Sequence, residues 1–231
     1  MKRIVGYVLV LIVLSGVAYA VYLFAPRVPT LRTGPAPEAA TSTEVTVQEK
    51  VITESTDTYR IEAHYPQFGI PSVDEKVQAV IEKALTEFKS YPPNPSDSAT
   101  PQNELVSSYN SVYVGADVAS VALSISEYTG GAHGNTVIVG VNVDRATGEE
   151  LTLDDALALI GKTLPQVADA SLVQLKTTLG EDLAFPEGAN ATAENYGTFL
   201  VSYDRVTFVF NNYQVAPYAA SQQQVWFKRV K

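Results

Sequence analysis

Two histidines, no cysteine and 25 carboxylates among 231 residues set the chemical repertoire of this chain. Without cysteine there is no disulfide framework, thiolate nucleophile, iron–sulfur cluster or lipid-modified N-terminal Cys. Two imidazoles are too few for a His-rich zinc site, so no metal and no cofactor are expected. The residues that stand out fall in one stretch, Tyr128-Thr129-Gly130-Gly131-Ala132-His133-Gly134-Asn135. Gly130, Gly131 and Gly134 permit backbone conformations closed to other residues, and they frame His133 and Asn135 at a strand end. Such a loop suits recognition, with His and Asn offering hydrogen bonds to a sugar or a protein. The competing reading is a conformationally demanding connection in which His133 satisfies buried carbonyls. It is not a phosphate loop, because no Lys-Ser or Lys-Thr follows.

Tyr213 and Tyr218 add aromatic surface of the kind a sugar platform uses, although Val215-Ala216-Pro217-Tyr218-Ala219 also reads as a turn that packs its aromatic. His64 sits in an apolar, β-prone run and reads as a satisfied structural residue. For catalysis the nearest candidates are Glu127 and Asp155, the carboxylates a glycoside hydrolase would need about 5 to 9 Å apart. Asp154 and Asp155 are adjacent at a helix start and point in different directions. No metal motif and no nucleophile–base pair is present, and an enzyme is not expected.

The elements that must position these residues can be drawn from periodicity. Val45 to Ile52 and Thr58 to Tyr65 are β-prone, the second ending at Pro66. Ser72-Val73-Asp74-Glu75 has the form of a capping box, followed by Val77, Val80, Ile81, Ala84, Leu85 and Phe88 on one helical stripe. Tyr91-Pro92-Pro93-Asn94-Pro95 stops that helix. Leu105 to Val114, Val118 to Tyr128 and Thr136 to Asp144 predict three strands in meander order. In the middle one Ala119, Val121, Leu123 and Ile125 form one face and Ser120, Ala122, Ser124 and Ser126 the other, the pattern of a half-buried strand. Leu151 to Asp155 leads into a short helix whose first turn is acidic, and Thr163-Leu164-Pro165-Gln166 caps another that stops at Gly180. Phe199 to Tyr203 and Val206 to Phe210 form a hairpin around Asp204-Arg205, and Gln224 to Val230 is a last β-prone run. The expected class is α+β: an antiparallel meander sheet with helices packed on it, preceded by one transmembrane helix.

That transmembrane helix is read from Ile4 to Ala25, 22 positions without a charge. As a helix this run reaches ~33 Å, enough for the ~30 Å hydrocarbon core. Lys2 and Arg3 stay cytoplasmic by the positive-inside rule, which places the remainder outside the membrane. Ala18-Tyr19-Ala20 offers the rival reading of a cleaved signal peptide, which would secrete the domain. Residues 26–50 are rich in Pro, Ala, Thr and Glu and read as a disordered tether. The formal charge of -9 becomes -11 once Lys2 and Arg3 are set aside, so nucleic acid is repelled and a basic protein attracted.

Tyr128 to Asn135, followed by Asn142-Val143-Asp144 and Thr147-Gly148-Glu149-Glu150-Leu151-Thr152-Leu153-Asp154-Asp155, resembles the extracytoplasmic domain of RsiV-type anti-sigma factors. Phe208 to Ala220, through Asn211-Asn212-Tyr213-Gln214, is similar to that domain's closing segment. Tyr59-Arg60-Ile61 through Tyr65-Pro66-Gln67-Phe68 and the capped helix resemble the module shared with the non-catalytic N-terminal part of the peptidoglycan deacetylase PdaC. The resemblance implies a PdaC N-terminal-like module at 51–103 and an RsiV C-terminal-like domain at 104–231, behind an anchor or signal at 1–25 and a linker at 26–50. It implies binding rather than chemistry, since RsiV senses lysozyme by binding it. Only Met1, Lys2 and Arg3 precede the apolar run, so the cytoplasmic segment with which an RsiV-type regulator holds its sigma factor is not expected, and no deacetylase metal motif is seen. The expectation is a cell-envelope binding domain held in the membrane through residues 4–25. Its ligand is expected to be a peptidoglycan fragment or a lysozyme-like basic protein, bound at Tyr128, Thr129, Gly130, Gly131, His133, Gly134, Asn135, Tyr213 and Tyr218. A wall-glycan hydrolase or esterase is the alternative.

Overall fold

The first two strands, β1 (Gln48–Ser55) and β2 (Tyr59–Gln67), form an antiparallel hairpin whose turn is held by Thr56, its hydroxyl accepting the N–H groups of Thr58 and Tyr59. The computed structural model describes residues 45–94, 99–181 and 183–230. The apolar run at 4–25 lies outside them, and among the described residues no helix is long and apolar enough to cross a membrane.

Helix α1 (Pro71–Lys89) follows with Pro71 in its first turn, where a missing N–H costs nothing. The capping box expected from Ser72 does not form. The helix has started two residues earlier, with extended Ile70 as N-cap, and Asp74 instead accepts the N–H of Phe68 at 2.6 Å, fastening the preceding loop. Val73, Val77, Ile81 and Phe88 fall on one stripe and are buried against Ile61, Ala63, Leu105, Val121 and Leu123. Each large side chain so buried contributes roughly 1.5–3 kcal/mol.

The chain then enters β3 (Asn103–Val114), β4 (Val118–Tyr128) and β5 (Asn135–Asp144), which pair antiparallel as the expected meander. The sheet order is β1-β2-β3-β4-β5. It is not antiparallel throughout, because α1 carries the chain back along the sheet so that β3 lies parallel to β2, Tyr59 opposite Asn103 and Ala63 opposite Ser107. This corrects the expectation of a purely antiparallel meander.

Two further helices, α2 (Leu153–Ile160) and α3 (Leu164–Leu179), are started by reciprocal caps. Thr152 and Asp155 serve one, and Gln166 reaches back to the N–H of Thr163 in the other. They cover a second sheet of β6 (Phe199–Val201), β7 (Arg205–Phe210) and β8 (Gln223–Lys228), antiparallel in that order. Its core is aromatic: Tyr196 lies edge-on to both Phe208 and Phe210, with Phe199 and Phe227 beside them.

The two sheets meet on the second face of β4, where a half-buried strand was expected. Ser120 and Ala122 are each only 1% exposed. Small residues let another backbone approach: a Cβ on Gly140 would stand 2.1 Å from the carbonyl oxygen of Phe199. Ala122 packs with Leu200 and Val209, and the polar atoms left in this buried seam satisfy one another. The Ser120 hydroxyl donates to Asn142 Oδ1 (2.7 Å), Asn142 Nδ2 donates to the Phe199 carbonyl (2.8 Å), and the Val201 N–H donates to both Ser120 Oγ and Asn142 Oδ1 (3.1 Å each).

Candidate functional site

The glycine loop leaves β4 at Tyr128 and rejoins the sheet at Asn135. Gly130 and Gly131 both have φ of 102°, a conformation that side chains resist, and a Cβ on Gly134 would sit 2.9 Å from the Glu127 carbonyl oxygen. Tyr128 folds over the loop, its hydroxyl donating to the Gly131 carbonyl at 3.2 Å, while Thr129 is exposed. Geometry therefore demands these glycines, and the outcome is an exposed His133 held at a fixed place.

His133 is fixed from two sides. Its Nδ1 lies 2.8 Å from the Gly134 carbonyl oxygen, so Nδ1 carries a hydrogen and donates it. That leaves Nε2 of the neutral ring as acceptor for the Tyr213 hydroxyl, 3.2 Å away. The imidazole stacks on Tyr218 with ring centres 4.0 Å apart and planes within 21°, and Tyr213 lies 6.4 Å from it at 26°. Tyr218 in turn donates its hydroxyl to the Gly134 carbonyl at 3.1 Å. His133 and two tyrosines some 80 positions further along the chain thus form one aromatic cluster, with Tyr213 52% exposed.

Tyr213 sits at φ 64°, in the left-handed region that a bulky aromatic rarely adopts. The turn that imposes this is held by amides. The Asn211 side chain accepts the Ile138 N–H (2.7 Å) and donates to the Ile138 carbonyl (3.3 Å), taking the place of a sixth strand on the β5 edge. Asn212 and Gln222 donate to the Thr136 carbonyl, and Gln214 spans the Gly188 and Asn195 carbonyls while accepting the Asn211 N–H. These amides were given no role from sequence. The visible signal was their concentration around Tyr213 in the Asn211-Asn212-Tyr213-Gln214 run.

The other expected residues disperse. Asn135 points away from the aromatic cluster into a groove between α1 and the sheet, together with Glu127. Glu127 is raised above the ordinary carboxylate range by burial first and by neighbouring Glu87 second. Asp155 lines a separate cavity with Asp117 and Asp144, and its carboxylate is held below the usual range by accepting the Thr152 hydroxyl and N–H. The two carboxylates therefore do not share a groove, and Asp155 is a helix cap. His64 is satisfied, but on the open outer face of the five-stranded sheet rather than in the core: Glu62 and Glu49 lie 3.3 Å from its two ring nitrogens and raise its pKa. On the same face a shallow cavity of about 490 Å³ joins Arg60 and Glu104 to Tyr128 and Gly131 of the loop.

With this geometry in hand, the relatives can be placed. Residues 52–136 match the family described as deacetylase PdaC, and residues 155–229 match a family of unknown function, DUF3298. The chain is 26% identical over 176 residues to the peptidoglycan-N-acetylmuramic acid deacetylase PdaC of Bacillus subtilis, spanning 74% of this chain and 38% of that protein. It is 26% identical over 135 residues to the immunogenic protein MPT64 of Mycobacterium tuberculosis, covering 58% of this chain and 59% of that one. The chain thus spans less than two thirds of the length of these curated relatives. Crystal structures of DUF3298 family proteins from Bacteroides fragilis and Pseudomonas aeruginosa superpose with a TM-score of 0.54 over 80% of this chain and 90% of theirs. At 17% and 16% identity these share the fold. A PdaC-like domain and a DUF3298 domain thus follow one another along the chain.

Proposed function

We propose that this chain is an extracytoplasmic cell-wall module that binds wall glycan through the His133–Tyr213–Tyr218 cluster, held at the membrane by residues 4–25 with its N-terminus cytoplasmic. The observation that carries the reading is the strained, exposed Tyr213 stacked with an imidazole that two hydrogen bonds hold in place. An aromatic held in an unfavourable backbone conformation by a ring of amides is more than packing requires, and such outliers gather at ligand sites. Flat rings with hydroxyl and imidazole edges offer a sugar both an apolar face and hydrogen bonds. The domain matches support a wall-related role, and the resemblance to RsiV-type domains adds a basic wall-acting protein such as lysozyme as a second ligand, favoured by the acidic charge.

Calorimetric titration of the full chain with purified muropeptides and with lysozyme, alongside a glycan-release assay, tests this. Saturable muropeptide binding without turnover is expected, and Tyr213→Ala together with His133→Ala should weaken it roughly tenfold, the scale of one lost aromatic contact. Binding indifferent to the double substitution removes the cluster from the site. Glycan release that disappears in Glu127→Gln moves the assignment to a hydrolase.

A further inference from the structure

The groove between α1 and the ends of β4 and β5 has a composition unlike a packing defect. Its volume is about 300 Å³, at the small end of ligand pockets. Val80 and Ala84 of α1 form one wall, and Ile125, Val137 and Val139 of the sheet form the other. Val137 is 38% exposed, so apolar surface is open to solvent here. One side chain breaks the pattern. Glu127 projects from the β4 wall, half-buried, and among the described residues its carboxylate has no hydrogen-bond or ion-pair partner.

The charges around it come from both elements. Burial first, and Glu87 of α1 second, raise the pKa of Glu127, while Lys83 sits at the rim, 76% exposed and 3.8 Å from Glu87. Among the described residues no cation on the sheet side lines the groove, where Asn135 is the remaining polar neighbour. Lys83 therefore pairs with Glu87, and among the described residues the half-buried carboxylate of Glu127 is left without a cation. A neutral apolar guest would leave that cost in place and a carboxylate guest would add to it. An alkyl chain ending in an ammonium would cover the walls with its methylenes and pair with Glu127 at its tip.

We infer that this groove is a binding site for a lysine-type side chain presented on a peptide. The complementarity has two parts, apolar walls for the stem and an unpaired carboxylate for the head. None of His133, Tyr213 or Tyr218 lines the groove, so the inference stands independently of the glycan reading.

The test is a calorimetric titration of the full chain with three blocked tripeptides, Ala-Lys-Ala, Ala-norleucine-Ala and Ala-(Nε-acetyl-lysine)-Ala. The lysine peptide should bind roughly tenfold or more tightly than the other two, the scale of one charge-assisted hydrogen bond. Glu127→Gln should erase that preference. Because Lys83 could fold inward and occupy the groove itself, Lys83→Met should leave the preference intact or strengthen it. Equal binding of lysine and norleucine peptides, no binding of the lysine peptide by the native chain or by Lys83→Met, or an undiminished preference in Glu127→Gln overturns the assignment. The native-chain comparison needs no variant to fold. His133→Ala with Tyr213→Ala should not alter it, whatever those substitutions do to muropeptide binding.

Discussion

The two sheets of this molecule are stabilised by different means. The five-stranded sheet packs one face on α1 with aliphatic side chains and leaves much of the other face to solvent, where Arg60, Glu62, His64 and Glu104 form ion pairs. The three-stranded sheet is short, its core is dominated by five aromatic side chains, and its second face is closed by the first sheet itself. The larger sheet thus supplies the platform and the smaller one supplies the residues that lock onto its edge. The candidate glycan site belongs to neither alone: His133 comes from a loop of the first and Tyr213 and Tyr218 from the segment between β7 and β8 of the second. Anything that loosens the seam between them should disturb the site, whereas changes on the open face should not.

The largest effect is expected where the seam is tightest. Gly140→Ala places a methyl group 2.1 Å from a backbone oxygen, and the only relief is to move β6 away from β5. A cost of roughly 3 kcal/mol or more follows for overpacking against backbone. Gly131→Ala, where the Cβ meets open space but φ is 102°, should cost about 1–2 kcal/mol of backbone strain. Urea midpoints with unchanged slopes measure both. Equal costs would mean that the sheets are not pinned at Gly140. Asn142→Ala comes next, since it strips the Phe199 carbonyl and the Ser120 hydroxyl of a buried partner. Roughly 1–2 kcal/mol is expected in all, since Ser120 keeps the Val201 N–H as a partner, and full stability in this variant would mean that water enters the seam.

The two sheets also share a device that allows a sharper comparison. Asn211 brackets Ile138 on the β5 edge, and Gln174 of α3 brackets Trp226 on the β8 edge, each amide bonding the N–H and the C=O of one residue. Both amides are half-buried, but the residues they bracket differ: Ile138 is half-buried beside the seam, whereas Trp226 is 52% exposed, so the Gln174 bonds lie open to water. Asn211→Ala should cost about 1–2 kcal/mol and weaken muropeptide binding, because it releases the turn that presents Tyr213. Gln174→Ala should cost about half as much and leave binding unchanged. Parallel thermal melts and titrations read the difference, and identical binding losses would break the link between the β5 clamp and the site.

Much of the fold was legible because periodicity reports one burial face at a time. The stripe of α1, the alternation of β4 and the Thr163–Gln166 cap each follow from local chemistry. What failed to show was non-local. Serine and alanine at 120 and 122 read as a solvent face, but they are small because another sheet lies against them, and small residues carry the same pattern in both cases. The parallel pairing of β2 with β3 depends on where α1 returns the chain, which no local signal encodes. The glycine loop and the two tyrosines were legible as types. Their meeting depends on Asn211, Asn212 and Gln214, whose amides look like ordinary turn residues until the edge they bond is known.

The smallest effect is expected on the open face, and it has a definite sign. Glu62 and Glu49 flank the two nitrogens of His64 and hold its folded pKa above the unfolded value, the Glu62 hydrogen bond being the larger cause. A group whose pKa is raised on folding binds its proton more tightly in the native state. The resulting stabilisation is fully present below the unfolded histidine pKa of about 6.5 and disappears as pH rises through the folded value. Seen from its partner, Glu62 is held below the carboxylate range by His64 first and Arg60 second, so its own contribution is present above the unfolded carboxylate pKa and lost as acid takes the pH below the folded one. Because these groups are open to water, the effect should be slight and should fade with salt as the Debye length falls from ~10 Å at 0.1 M to ~3 Å at 1 M. His64→Gln should therefore flatten the fall in melting temperature between about pH 6 and pH 8 at low salt and change nothing at 1 M. Muropeptide binding should be unaffected throughout. A His64→Gln variant that loses binding would place the open face in the site and overturn the division between platform and lock.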